Sequence, residues 1–232
     1  MPSIQTTIAQ ELNLTAAQVA AVIDLVDQGN TIPFIARYRK EATGGIDDAT
    51  LRDLDERLTY LRNLEARKDE VLRAIEEQGK LTAELKKSIE EAATLVVVED
   101  LYRPYRPKRR TRATIAKEKG LEPLANIILL QMTKEPLEKE AETFVSEEKE
   151  VKTAKDAIAG ACDIIAESIS DEADYRMEIR RRTEAKGLIV STAKDEKAES
   201  VYENYYEFSE PVSKIAGHRV LALNRGEKEK FL

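Results

Sequence analysis

A chain of 232 residues, 42% hydrophobic and 35% charged with only nine glycines, buries roughly 70% of its unfolded surface on folding and reads as helix-rich, with one or two domains. A formal charge of −7 argues against indiscriminate coating of nucleic acid, and a single cysteine, Cys162, excludes an internal disulfide framework and fits a reducing cytosol. Met1 to Asn13 lacks a basic n-region and an apolar h-region, and no apolar run approaches the ~20 residues of a membrane span, so secretion and membrane insertion are not expected.

Ile4, Ile8, Ala9 and Leu12 fall on one face of a short first helix. Thr15 and Gln18 have capping-box spacing, the apolar set Val19, Val22, Ile23 and Val26 follows, and Gly29 sits where a C-terminal cap belongs, which predicts a helix over 16–28. Pro33 opens a short helix through Arg39, and Thr43-Gly44-Gly45 breaks the pattern. A boundary there divides residues 1–46, a helix-turn-helix-like unit, from a helical body over 47–232.

Asp47 or Asp48 caps a long helix to about Gln78. Its apolar positions Leu51, Leu54, Leu58, Leu61, Leu64, Val71, Leu72 and Ile75 keep mostly three- and four-residue steps. At ~1.5 Å per residue such a helix spans about 45 Å, enough to brace an elongated scaffold. Thr82 starts another helix to about Ala93. Leu95 to Val98 is ambiguous, because β-branching favours a strand. Helix resumes over Ile115–Lys119, Pro123 and Pro136 open two more, and Thr153 precedes one over 154–168. Ser170 is placed as the cap of a helix closed by Lys186 and Gly187. Leu188 to Val190 is the best strand, half of a small ribbon. Val201 to Phe208 holds four aromatics read as packing, Pro211 begins a short helix, and His218 to Lys228 forms the last.

Charge is concentrated in one place. Arg103 to Lys119 carries eight Lys and Arg against one Glu, a net of +7, which leaves −14 for the rest of the chain. Pro104 and Pro107 keep its first part out of regular helix. As a nucleic-acid contact, Arg103, Arg106, Lys108, Arg109, Arg110 and Arg112 bond phosphates while Tyr102 and Tyr105 stack on an unpaired base. The plainer reading packs the tyrosines beneath the loop and pairs the arginines with acidic helices. On residues alone the two are nearly balanced.

The same basic stretch, with IPFIARYRKEATGGIDD at 32–48, EQGKL at 77–81 and HRVLALNRGEKEKFL at 218–232, resembles the N-terminal part of the Tex family of bacterial transcription accessory proteins. The likeness covers essentially the whole chain. It departs from the family pattern at Gly217, where a Ser often precedes the His, and at Lys230, where a Gly is common. The resemblance implies a cytoplasmic, nucleic-acid-binding protein related to a eukaryotic elongation factor that travels with RNA polymerase. It also implies downstream resolvase-like, helix-hairpin-helix and RNA-binding OB-fold domains, so that the chain reads as an N-terminal fragment. It favours a short helix at Leu95 to Val98.

Catalysis has little support. His218 is the one histidine, no GxSxG accompanies it, one Cys and one His cannot build a zinc site, and no phosphate-loop glycine spacing is present. The expectation is an all-α, multi-helical, elongated scaffold with a helix-turn-helix-like N-terminal unit, a long central helix and one short β-ribbon. Its role is non-enzymatic, without cofactor or metal. Its expected partners are its own downstream domains, RNA or DNA, and RNA polymerase, with no membrane. The alternatives are a metal-dependent hydrolase using helix-borne carboxylates and an autonomous DNA-binding module; the helix at 16–28 carries no Arg or Lys, which counts against the second.

Overall fold

The computed structural model describes residues 3–133 and 135–232. The fold is mostly α: among the described residues there are twelve α-helices and one two-stranded antiparallel sheet. They form two compact units, Met1–Arg106 and Pro107–Leu232.

The first unit contains α1 (Ile4–Glu11), α2 (Ala16–Asp27), α3 (Ile32–Tyr38), α4 (Asp48–Glu77), α5 (Ala83–Glu91) and α6 (Leu95–Tyr102). Side chains of Ser3, Thr15, Asp47, Thr82 and Thr94 each accept a first-turn N–H, satisfying donors that a helix start leaves open. At Thr15 the capping box is complete. Gly29 and Gly79 take φ of +84° and +67°, and the N–H that follows each reaches back five residues, closing α2 and α4. The stripe on α4 is the axis of this core: Leu51, Leu54, Leu58 and Leu64 are at most 2% exposed. Ile8, Val22, Ile35 and Ile89 pack into the same cluster from the neighbouring helices. The ambiguous Leu95 to Val98 run is helix α6, because the Thr94 hydroxyl caps it and burial of Val98 against α4 outweighs β propensity.

The second unit contains α7 (Arg112–Glu118), α8 (Glu122–Leu130), α9 (Leu137–Glu142), α10 (Ala154–Asp171), α11 (Ala173–Lys186), β1 (Leu188–Thr192), β2 (Glu207–Pro211) and α12 (Gly217–Lys228). Helix α10 is the centre, with Ala157, Ala161 and Ile164 against α7, α8 and α9. The approach is close at Gly160, where a Cβ would lie 2.4 Å from Leu121 Cδ1. Three local expectations differ. Helix α7 begins at Arg112 rather than near Ile115, because Thr111 caps it. Ser170 lies inside α10, and α11 starts from Glu172 with no side-chain cap. Pro211 ends β2 instead of opening a helix, in register with Leu188.

Candidate nucleic-acid interface

The basic segment divides between the units, with Tyr102, Arg103, Tyr105 and Arg106 in the first and Lys108 to Lys119 in the second. In the first unit, Tyr102 closes α6 and is 8% exposed. The Arg67 guanidinium lies 5.4 Å from its ring centroid, and hydrogen bonds to Glu99 and then Glu70 hold that guanidinium's pKa above its ordinary value. Tyr105 is partly buried against the same core, and its carbonyl accepts from Gln78 Nε2 at 2.9 Å. The Tyr102 ring is thus largely covered by protein, while the Tyr105 ring is half-buried. Arg103 and Arg106 are exposed beside them.

In the second unit, Thr111 fixes the turn. Its Oγ1 accepts the Thr114 N–H at 3.0 Å and donates to Glu167 Oε1 at 2.9 Å, tying the start of α7 to α10. Lys108 Nζ pairs with Asp171 and lies 3.6 Å from Glu167 Oε1. Arg110 Nη2 donates to Glu118 at 2.7 Å, and Lys119 Nζ donates to the Glu150 carbonyl at 3.0 Å. Arg112 Nε stands 3.6 Å from Asp163 with its side chain 86% exposed. Arg109 is exposed and, among the described residues, has no ion-pair partner. The exposed pairs of Arg110 and Arg112 contribute only about 0–1 kcal/mol each, so a phosphate accepting a bidentate guanidinium competes with them readily.

The first unit also holds a cleft of about 490 Å³, lined in part by Arg57, Leu61, Lys68 and Ala92. Lys68, 3% exposed, bonds Glu65 Oε1 and the Glu90 carbonyl, each at 2.9 Å. Sequence reasoning passed over it. The seven-residue gap between Leu64 and Val71 in the α4 stripe was the available signal, since Lys68 occupies the missing apolar position. Among the described residues no group of three or more His, Cys, Asp or Glu is placed to hold a metal ion. No described helix is long and apolar enough to cross a membrane.

This is a capped, mostly helical chain that carries an exposed arginine turn on an acidic background. The chain belongs to the Tex family: the profile of the Tex-like protein N-terminal domain matches residues 2–76, and that of the Tex central region-like family matches 131–232. It is 52% identical over 228 residues to the uncharacterized protein YdcI of Bacillus subtilis, covering 97% of this chain and 32% of that protein. It is 45% identical to Protein tex of Bordetella pertussis, covering 97% and 29%. With the transcriptional accessory protein Tex of Neisseria gonorrhoeae it shares 44% identity, covering 99% and 30%. The chain thus spans about a third of the length of these relatives.

Proposed function

We propose that this chain is a non-enzymatic helical scaffold of a Tex-like transcription accessory protein, working in the cytoplasm. It packs against downstream domains of its own polypeptide and offers a secondary contact to RNA or DNA within an assembly that serves RNA polymerase. The observation that carries the contact is the turn before α7, where Arg109, Arg110 and Arg112 are all exposed and held only by surface ion pairs or none. Three guanidiniums in four residues, on a rim fixed by Thr111, suit the phosphate backbone rather than base edges. Binding is then weak and indifferent to sequence.

The test is fluorescence anisotropy of a labelled single-stranded RNA across a salt series, with the wild type and the Arg109→Ala/Arg110→Ala variant. Each phosphate contact removed should flatten the slope of log affinity against log salt by about 0.7 to 0.9. The melting temperature should stay nearly unchanged, because the pair lost is exposed. Undetectable binding at low salt, or an unaltered slope in the variant, rejects the contact and leaves the scaffold role alone.

A further inference from the structure

The β-ribbon has an edge that asks for another strand. Two hydrogen bonds outside the strands, Val212 N–H to the Gly187 carbonyl and Ala193 N–H to the Tyr206 carbonyl, together with the register, fix the parity of the ladder. Ile189 and Ser191 turn their backbone groups toward β2. Leu188, Val190 and Thr192 turn theirs away from it. Among the described residues those outward N–H and C=O groups have no hydrogen-bond partner. They repeat every second residue, about 6.7 Å apart, a spacing that an extended backbone matches. The side chains beside the edge are apolar and uncovered, with Leu188 60% and Val190 64% exposed.

Protein sheets normally blunt such an edge with proline, charge or a covering element. The outer edge of β2 is blunted: Pro211 lacks an N–H, its carbonyl is taken by the Lys214 and Ile215 N–H groups, and Glu207 carries charge. The β1 sequence, Leu-Ile-Val-Ser-Thr, has neither proline nor charge. A ribbon of two strands is also marginal by itself.

The segment after α12 reaches the end of this same edge. Helix α12 closes with Lys230 at φ +68°, its N–H bonding the Glu227 carbonyl and that of Phe231 reaching back to Gly226. This reversal carries Phe231 to the chain just past β1, where its carbonyl accepts the Lys194 N–H at 3.0 Å. Lys194 has the same outward parity as Thr192, Val190 and Leu188. An extended segment running antiparallel from Phe231 would set its second, fourth and sixth following residues opposite those three.

We propose that β1 is a docking edge for a third, antiparallel strand, and that its occupant is the polypeptide following Leu232 in longer members of the family. The assignment rests on the scaffold reading above, and it names the surface by which the scaffold holds its downstream domains. The fitting strand has apolar residues on the face shared with Leu188 and Val190 and no proline at its inward positions.

Amide hydrogen exchange tests this in the present chain and in one extended past Leu232 in the manner of the longer relatives. The Leu188, Val190 and Thr192 amides should slow by about a hundredfold or more in the longer chain, while Ile189 and Ser191 stay protected in both. Val190→Pro in the longer chain removes one outward donor without breaking a β1–β2 bond, and should restore fast exchange at Leu188 and Thr192. Rates for the three outward amides that agree within about twofold in the two chains overturn the proposal. Protection in the short chain that rises with concentration also overturns it, because a second copy would then hold the edge. Nucleic-acid affinity should be unmoved by Val190→Pro, so failure of the arginine contact and failure of the strand are separate results.

Discussion

Lys230 shows how one residue reports on its surroundings. At φ +68° a side chain with a Cβ costs about 1–2 kcal/mol relative to a right-handed conformation, while glycine is nearly indifferent. The resemblance marks this position as one where a glycine is common, and the structure fits that: Lys230 begins the reversal that ends α12. Lys230→Gly should therefore stabilise the second unit by about 0.5–1 kcal/mol, part of the gain being lost to the freer unfolded chain. Chemical denaturation followed by tyrosine fluorescence would check it, and a loss of stability would show that the Lys230 side chain makes a contact worth more than the strain. Lys68 was less legible, because a lysine in an apolar stripe looks like an interruption. Its burial depends on the Glu90 carbonyl, 22 residues away, which no local pattern reveals.

At the scale of elements, what was local was readable. The caps at Thr15 and Thr82 and the glycine stops of α2 and α4 follow from spacing alone, which leaves Asp47 and Asp48 both open as the cap of α4 and places Thr153 only just before α10. Strand β2 was not readable, since Glu-Phe-Ser-Glu-Pro has little strand propensity and becomes a strand only by pairing with β1. The candidate turn was half legible: its charges were visible, but not that Thr111 anchors it to α10. Thr111→Ala should cost about 0.5–2 kcal/mol, more than Arg109→Ala, and a denaturation midpoint insensitive to it would remove Thr111 as the anchor. Helix α11 buries no residue, so its helicity rests on local pairs. Hydrogen bonds from Arg181 and then Arg182 hold the Glu178 carboxyl at about 2, against an ordinary 4.5. A depressed carboxylate pKa stabilises the folded form above the ordinary value, and that contribution disappears as pH falls through the depressed one. Helicity of 176–186, followed by backbone chemical shifts, should thus hold above about pH 4.5 and decline toward about pH 2, with a smaller span of change at high salt. A profile flat over that range would mean that Glu178 does not support the helix.

At the scale of the whole molecule, a chain of net charge −7 contains a +7 stretch, and most of its cations have an acid of the same unit within reach. The same local pairing leaves structural stability to the apolar cores. Every member of the first core, from Ile8 to Tyr102, lies within residues 1–106. That stretch should therefore fold when expressed alone, giving a helical far-ultraviolet spectrum and one cooperative thermal transition. Two substitutions separate the forces that hold it. Leu54 is fully buried on α4, and Leu54→Ala should cost about 2–5 kcal/mol through lost burial and the cavity left behind. Glu11 accepts two bonds from Arg57, both at 2.6 Å, and that guanidinium holds its pKa below the ordinary carboxylate value. The two side chains nevertheless remain 39% and 31% exposed, so Glu11→Gln should cost no more than about 1 kcal/mol. A melt without cooperativity, or a Glu11 variant less stable than the Leu54 variant, would mean that ion pairs rather than the α4 stripe organise this unit.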